Sequence, residues 1–378
     1  MQGMNRTMPL LRGLASALLI TALAAAGADA ATPAYPAPQL QGIRGYAFPT
    51  YFQGDSVSIS PTGVVWFGVH SEGGPASLGR LKAGKISTLP LRKKGALGST
   101  YSTAFAPTGA LWFGIEEEGS SGRVRYAIGR RAPSGAVTRT ALPAKGPVNW
   151  LTVGPEGDAW FTSGSKARAA MTRMAPTGAA TRFSLPAGTP GSVAAGPDGA
   201  IWFAEKQADG SGVIGRIATD GTIQQYTLGA GVVARRLVAG PDGALWFSEN
   251  GAATAGGASA DRIGRITTSG EVAQFPIPFG TSTVELAADP AGRIWFTTEA
   301  GELSSISTTG ALGGRGCLGQ CDRPIVALAV APSGVLWFAA GNASCTGCGG
   351  SASLMAEDAG SEVGEIPAGA LTPAPVAP

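Results

Sequence analysis

The chain has 378 residues, with 58 glycines, only 14% charged residues and a formal net charge of +3. Glycine this abundant without a Gly-X-Y period excludes collagen, and regularly spaced tryptophans exclude a disordered chain. No basic block is present, so nucleic acid is not an expected partner.

Residues 1–30 read as a separate object. Arg6 and Arg12 precede an apolar stretch between Leu14 and Ala26, and Ala28-Asp29-Ala30 forms an A-x-A cleavage pattern, which together predict a signal peptide. The stretch is short for a bilayer span and no other follows, so no membrane span is expected. The expected location is secreted or periplasmic, and the expected state is a monomer.

Beyond that segment the pair Trp-Phe recurs with its Trp at 66, 112, 160, 202, 246, 295 and 337, at spacings of 46, 48, 42, 44, 49 and 42 residues. A Pro-x-Gly turn precedes each pair, as in Gly240-Pro241-Asp242-Gly243-Ala244-Leu245-Trp246-Phe247. This period, with four strand-like stretches per unit, predicts an all-β, seven-bladed β-propeller of four-stranded antiparallel blades. Strand one is a small-residue run such as Ser192-Val193-Ala194-Ala195. Strand two carries Trp-Phe, whose side chains point to opposite faces of the blade. Strand three reads Ile214-Gly215-Arg216-Ile217, and a second tight turn leads to strand four. The assignment is 31–41 linker, 42–367 propeller and 368–378 disordered Pro/Ala-rich tail.

Closure is expected from pairing of the N- and C-terminal strands. Both Gly42-Ile43-Arg44-Gly45-Tyr46-Ala47-Phe48-Pro49 and Glu362-Val363-Gly364-Glu365-Ile366 resemble a fourth strand for the last blade, and the choice between them stays open. Tight turns join strands one to two and three to four, so the other two connections share a variable loop face. There the segments 68–77, 114–127 and 249–261 are expected to be long and irregular, with Glu116-Glu117-Glu118 as a solvated loop tip.

The wording of the repeats, above all residues 240–250 and 261–278, resembles the virginiamycin B lyase family. The resemblance implies a seven-bladed propeller that linearises streptogramin B antibiotics by elimination. It implies a His base, a second His, a Glu and Mg²⁺ at the loop-face end of the channel. The family's His residues come mainly from the last two blades. Here those inner strands start Thr283-Val284-Glu285-Leu286 and Ile325-Val326-Ala327-Leu328, and the single His of the chain is His70, in blade one. No matching position takes over the base or the metal shell. No catalytic residue or metal ligand is therefore assigned, and Mg²⁺ is implied only if the lyase activity is present.

Residues starting the inner strands should crowd the channel mouth. The candidate ligand-binding residues are Asp55, Tyr101, Asn149, Trp150, Arg235, Arg236 and Glu285, with Glu205 and Glu249 at the loop-face end of strand two. Cys317, Cys321, Cys345 and Cys348 also map to that face. Export favours disulfides, and all three pairings stay open. These features predict a ligand-binding or interaction propeller taking a small molecule, peptide or surface ligand at the loop face. The alternatives are a C–O lyase with a base other than His and a metal-dependent lactonase.

Overall fold

The computed structural model describes residues 44–47, 52–71, 74–91, 97–119, 121–143, 146–163, 170–185, 188–229, 231–250, 261–278, 283–317, 325–340 and 362–366. All of them lie within one unit, Ala37–Pro378. The expected signal peptide, linker and tail fall outside the described residues, as do Cys321, Cys345 and Cys348.

The described residues form 28 strands and no helix. Strand β1 is Arg44–Ala47. Blade one is β2–β5 (Phe52–Ile59, Val65–Ser71, Ser77–Lys82, Lys85–Pro90) and blade two β6–β9 (Leu97–Phe105, Leu111–Glu118, Val124–Arg131, Val137–Ala141). Blade three is β10–β13 (Val148–Val153, Ala159–Ser163, Ala170–Met174, Ala180–Ser184) and blade four β14–β17 (Thr189–Ala195, Ile201–Lys206, Gly212–Ile217, Ile223–Gly229). Blade five is β18–β21 (Val233–Ala239, Ala244–Asn250, Arg262–Thr267, Val272–Pro276) and blade six β22–β25 (Thr283–Asp289, Arg293–Thr298, Glu302–Ser307, Leu312–Cys317). Blade seven is β26 (Ile325–Val330), β27 (Leu336–Ala340), β28 (Glu362–Ile366) and β1. Every pairing is antiparallel within a blade, and one bridge, His70 to Ser99, joins blades one and two. The chain is a seven-bladed β-propeller.

Each sequence signature has a local cause. The Gly of every Pro-x-Gly turn sits at positive φ, between 73° and 94°, where a side chain would be strained. The Trp of one blade and the Phe of the next meet in a shared core: Trp160 with Phe203, Trp202 with Phe247, Trp246 with Phe296. Around the ring this makes seven inter-blade cores, the last joining Trp337 to Phe67 of blade one. A blade alone would leave both aromatic faces wet, so the ring is the stable unit. Gly215 and Gly264 of strand three lie against the rings of Phe203 and Phe247, where a Cβ would overlap the aromatic carbons. The Asp of the turn completes the unit. Asp198 accepts from the Trp202 indole (3.0 Å) and from Arg216 Nε (2.6 Å), and Asp242 does the same for Trp246 and Arg265 (3.0 and 2.7 Å).

Closure uses both terminal segments. Strand β28 is the third strand of blade seven, pairing with β27, and β1 is the fourth, pairing Arg44 with Glu365 and Tyr46 with Val363. Residues 362–366 therefore do not compete for the fourth position. The ring of Tyr46 stacks on Trp337 at 6.4 Å, as Tyr226 stacks on Trp202 at 5.6 Å within blade four.

One loop-face expectation is corrected. Residues 114–118 and 124–127 are β-strand: β7 and β8 stay paired from Leu111/Arg131 out to Glu118/Val124. A tight turn with Gly122 at φ 74° closes the hairpin. Glu116, Glu117 and Glu118 are thus strand residues, with Glu117 buried and paired to Arg139. Of the segment 249–261, residues 251–260 lie outside the described residues.

Candidate functional site in the channel mouth

All seven inner strands break register at the same level. The shifts fall between Gly54/Val57, Tyr101/Thr103, Val148/Trp150, Pro190/Val193, Ala234/Leu237, Thr283/Leu286 and Ile325/Ala327. A bulge inserts unpaired residues and re-aims their side chains. Here the inserted residues coincide with the ring that the sequence marks at the strand starts. Ser102, in the blade-two bulge, holds a positive φ of 37°, and its hydroxyl donates to the Asn149 carbonyl of blade three at 3.1 Å. A non-Gly residue in that region is strained and is kept there by its surroundings.

The seven bulges surround a cavity of 510 Å³ on the ring axis. Ser56, Tyr101, Asn149, Trp150, Arg236 and Glu285 line it, so five of the sequence candidates meet there. Glu116 also lines it and was missed because residues 114–127 were read as a loop; the Tyr101 hydroxyl donates to its Oε2 at 3.4 Å. Backbone at Asp55 belongs to β2, and its side chain lies outside the described residues. Arg235 is not in the lining; it pairs with Glu299 at 3.3 Å where both are exposed, a contact worth little.

The organising group is a stack drawn from three blades. The Arg236 guanidinium (blade five) lies over the Trp150 ring (blade three), 4.1 Å from its centroid, and donates to Glu285 Oε1 (blade six). Blade four, between them, presents only Gly191 and Ser192 at this level. Glu285 is 7% exposed. Burial pushes its carboxyl up to about 7, against the opposing pull of Arg236. Among the described residues Glu285 is the one side-chain acceptor of the guanidinium, which has further N–H donors to offer a ligand. An aromatic wall, a fixed guanidinium and hydroxyl and amide groups suit a ligand carrying carbonyls beside apolar rings.

Glu205 and Glu249 lie at the end of strand two as expected from the sequence, but neither lines the cavity. They are not solvated carboxylates: their exposures are 1% and 0%. Gln225 donates to Glu205 at 2.9 Å and Gln274 to both oxygens of Glu249 at 2.9 Å. Burial pushes both carboxyls above the usual range despite these hydrogen bonds.

The Mg²⁺ implied by the resemblance does not fit these residues. The described cavity lining holds two carboxylates, Glu116 and Glu285, and Glu285 is engaged by Arg236. Hard divalent cations need several converging oxygen ligands, and no group of three or more His, Cys, Asp or Glu converges among the described residues. No helix among the described residues is long and apolar enough to cross a membrane.

The fold has solved counterparts. A streptogramin B lyase structure is 23% identical, covers 85% of this chain and 96% of its own, and superposes with a TM-score of 0.64. A catalytically inactive virginiamycin B lyase from Staphylococcus aureus with quinupristin is 23% identical over 85% of this chain and 98% of its own, at a TM-score of 0.64. At these identities the likeness establishes the fold alone. No curated protein matches the chain. A family model, that of the virginiamycin B lyase family, matches residues 99–348, well over half of the chain, and with the seven-bladed ring in place the chain belongs to that family.

Proposed function

We propose that this propeller is an exported, monomeric ligand-binding protein that takes a small molecule or short peptide into the channel mouth. The observation that carries the reading is the Trp150–Arg236–Glu285 stack, assembled from three blades inside a 510 Å³ cavity. Export is supported by the signal-peptide pattern of residues 1–30 and by Cys317, which does not stand as a free thiol.

The first probe is a streptogramin B, because members of this family bear that name. Isothermal calorimetry should show saturable binding that Trp150→Ala and Arg236→Ala each weaken at least tenfold, roughly 1.4 kcal/mol. Tight binding left intact by both variants would place the site elsewhere and overturn the reading.

A second reading, C–O elimination with Glu285 as base, is favoured by one observation. A carboxyl pushed up to about 7 is poised to exchange a proton near neutral pH. Mass spectrometry of the same mixtures, with and without Mg²⁺, separates the two. Ring-opened product that is lost in Glu285→Gln supports the second reading, and unchanged ligand supports binding alone.

A further inference from the structure

Among the described residues lining the channel-mouth cavity, Arg236 is the one basic group, and it is oriented before any ligand arrives. Its guanidinium lies 4.1 Å from the centroid of the Trp150 ring, and its Nη2 donates to Glu285 Oε1. The Arg236 side chain is 27% exposed and that of Glu285 9%, so the pair is closed on the side of the acid and open on the side of the guanidinium. A planar guanidinium presents its N–H groups in a fork that matches the two oxygens of a carboxylate. Glu285 is itself a carboxylate docked on that fork, so the chain supplies from within the kind of partner this group takes.

Glu285 is also able to give up its charge. Burial pushes its carboxyl up to about 7, while Arg236 and, after it, Arg235 of the same strand β18 pull the other way. The ionisable groups of the other strands packed against it are engaged elsewhere. Arg293 of β23 pairs with Asp289, Glu249 of β19 is held by Gln274, and β26 has no ionisable residue. Thr297 of β23 meets Glu285 only through its hydroxyl, which accepts from the Glu285 amide at 3.2 Å. With Glu285 neutral, Arg236 is a fixed cation open to the cavity. The lining's other carboxylate, Glu116, takes the Tyr101 hydroxyl and repels an anion in proportion to its charge, which favours a single carboxylate over a doubly charged phosphate.

We propose that the ligands of the channel mouth are carboxylic acids: the ligand's carboxylate docks on the open side of Arg236, and Glu285 takes up a proton from solvent as it does so. This rests on the channel-mouth reading above and names the class of molecule that the site selects. A second carboxylate beside Glu285 shares its guanidinium and adds a like charge, and both effects favour the neutral acid. Capture is therefore linked to protonation, and affinity falls as pH rises through the titration of the free site.

The experiment is calorimetry on the purified full chain with two probes, N-acetyl-phenylalanyl-phenylalanine as the free acid and as its C-terminal amide. The probe's carboxylate stays ionised between about pH 6 and pH 8, so any change over that range belongs to the protein. The acid should bind at least tenfold more tightly than the amide at about pH 6 and about tenfold more weakly at about pH 8 than at about pH 6, with the amide unchanged. Heats measured in two buffers of different ionisation enthalpy should show uptake of about half a proton near pH 7. Glu285→Gln should bind the acid at about pH 8 as the parent chain does at about pH 6, with no proton uptake. The proton count needs only the parent chain, so the test holds even if that variant folds poorly. An acid with no advantage over its amide, an advantage without proton uptake, or no binding of either probe would overturn the inference. Streptogramin binding that Trp150→Ala weakens, alongside any of those results, leaves the channel-mouth reading standing and removes this inference alone.

Discussion

At Glu205 and Glu249 the chemistry of a single side chain sets a measurable pH dependence. Burial raises both carboxyls, so the folded state binds these protons more tightly than the unfolded chain does. Their contribution is then fully present below the unfolded carboxylate range and is lost as pH rises through the raised folded values. Glu205→Gln and Glu249→Gln should each stabilise the protein at pH 8, by ~1 kcal/mol, and change little at pH 4; urea unfolding across that range checks the sign. Glu285 follows the same rule with its carboxyl near 7, so it too withdraws stability as pH passes neutrality. Because Arg236 joins it to Trp150, indole fluorescence should titrate with a midpoint near 7 and stop titrating in Glu285→Gln. The sequence marked these carboxylates but not their states. Residue order placed Glu205 and Glu249 at a strand end; the Gln225 and Gln274 partners that turn them inward come from two strands away.

At the scale of the strand and turn, the repeat was mostly legible. Pro-x-Gly, the alternation of Trp and Phe and the small inner strands each follow from a local conformational or steric demand. The Gly of strand three needed the structure to explain it: the neighbouring Phe ring occupies the place of its Cβ. Gly264→Ala should therefore cost about 2–3 kcal/mol by overpacking, seen as a lower urea midpoint with an unchanged slope. The Asp–Trp–Arg unit was not legible, because its three members come from a turn and two strands. Asp242→Ala removes the acceptor for Trp246 and Arg265 together and should cost about 2 kcal/mol. The bulges were legible only as positions. Crowding near the axis marked Arg236 and Glu285 as neighbours of the channel, whereas the choice of Trp150 as the surface under Arg236 depends on how far one long side chain reaches past blade four.

For the whole molecule, the decisive feature is that the first described strand is the last one of the ring. Tyr46 fills in blade seven the place that Tyr226 fills in blade four, so Tyr46→Ala should loosen the closure and lower stability by ~1–2 kcal/mol. Hydrogen exchange of β28 should accelerate more than that of any strand in blade four. Closure also orders events in time. The partner of Arg44 is Glu365, so β1 is synthesised before the other described strands and must wait for its partner until β28 exists. Bringing such distant segments together is a late and slow step. Until it happens β28 presents an open edge that accepts any copy of residues 44–47, its own or a neighbour's. Dilute refolding should therefore give closed single rings and concentrated refolding some pairs of rings that have traded their first strand, which size-exclusion chromatography across a concentration series checks.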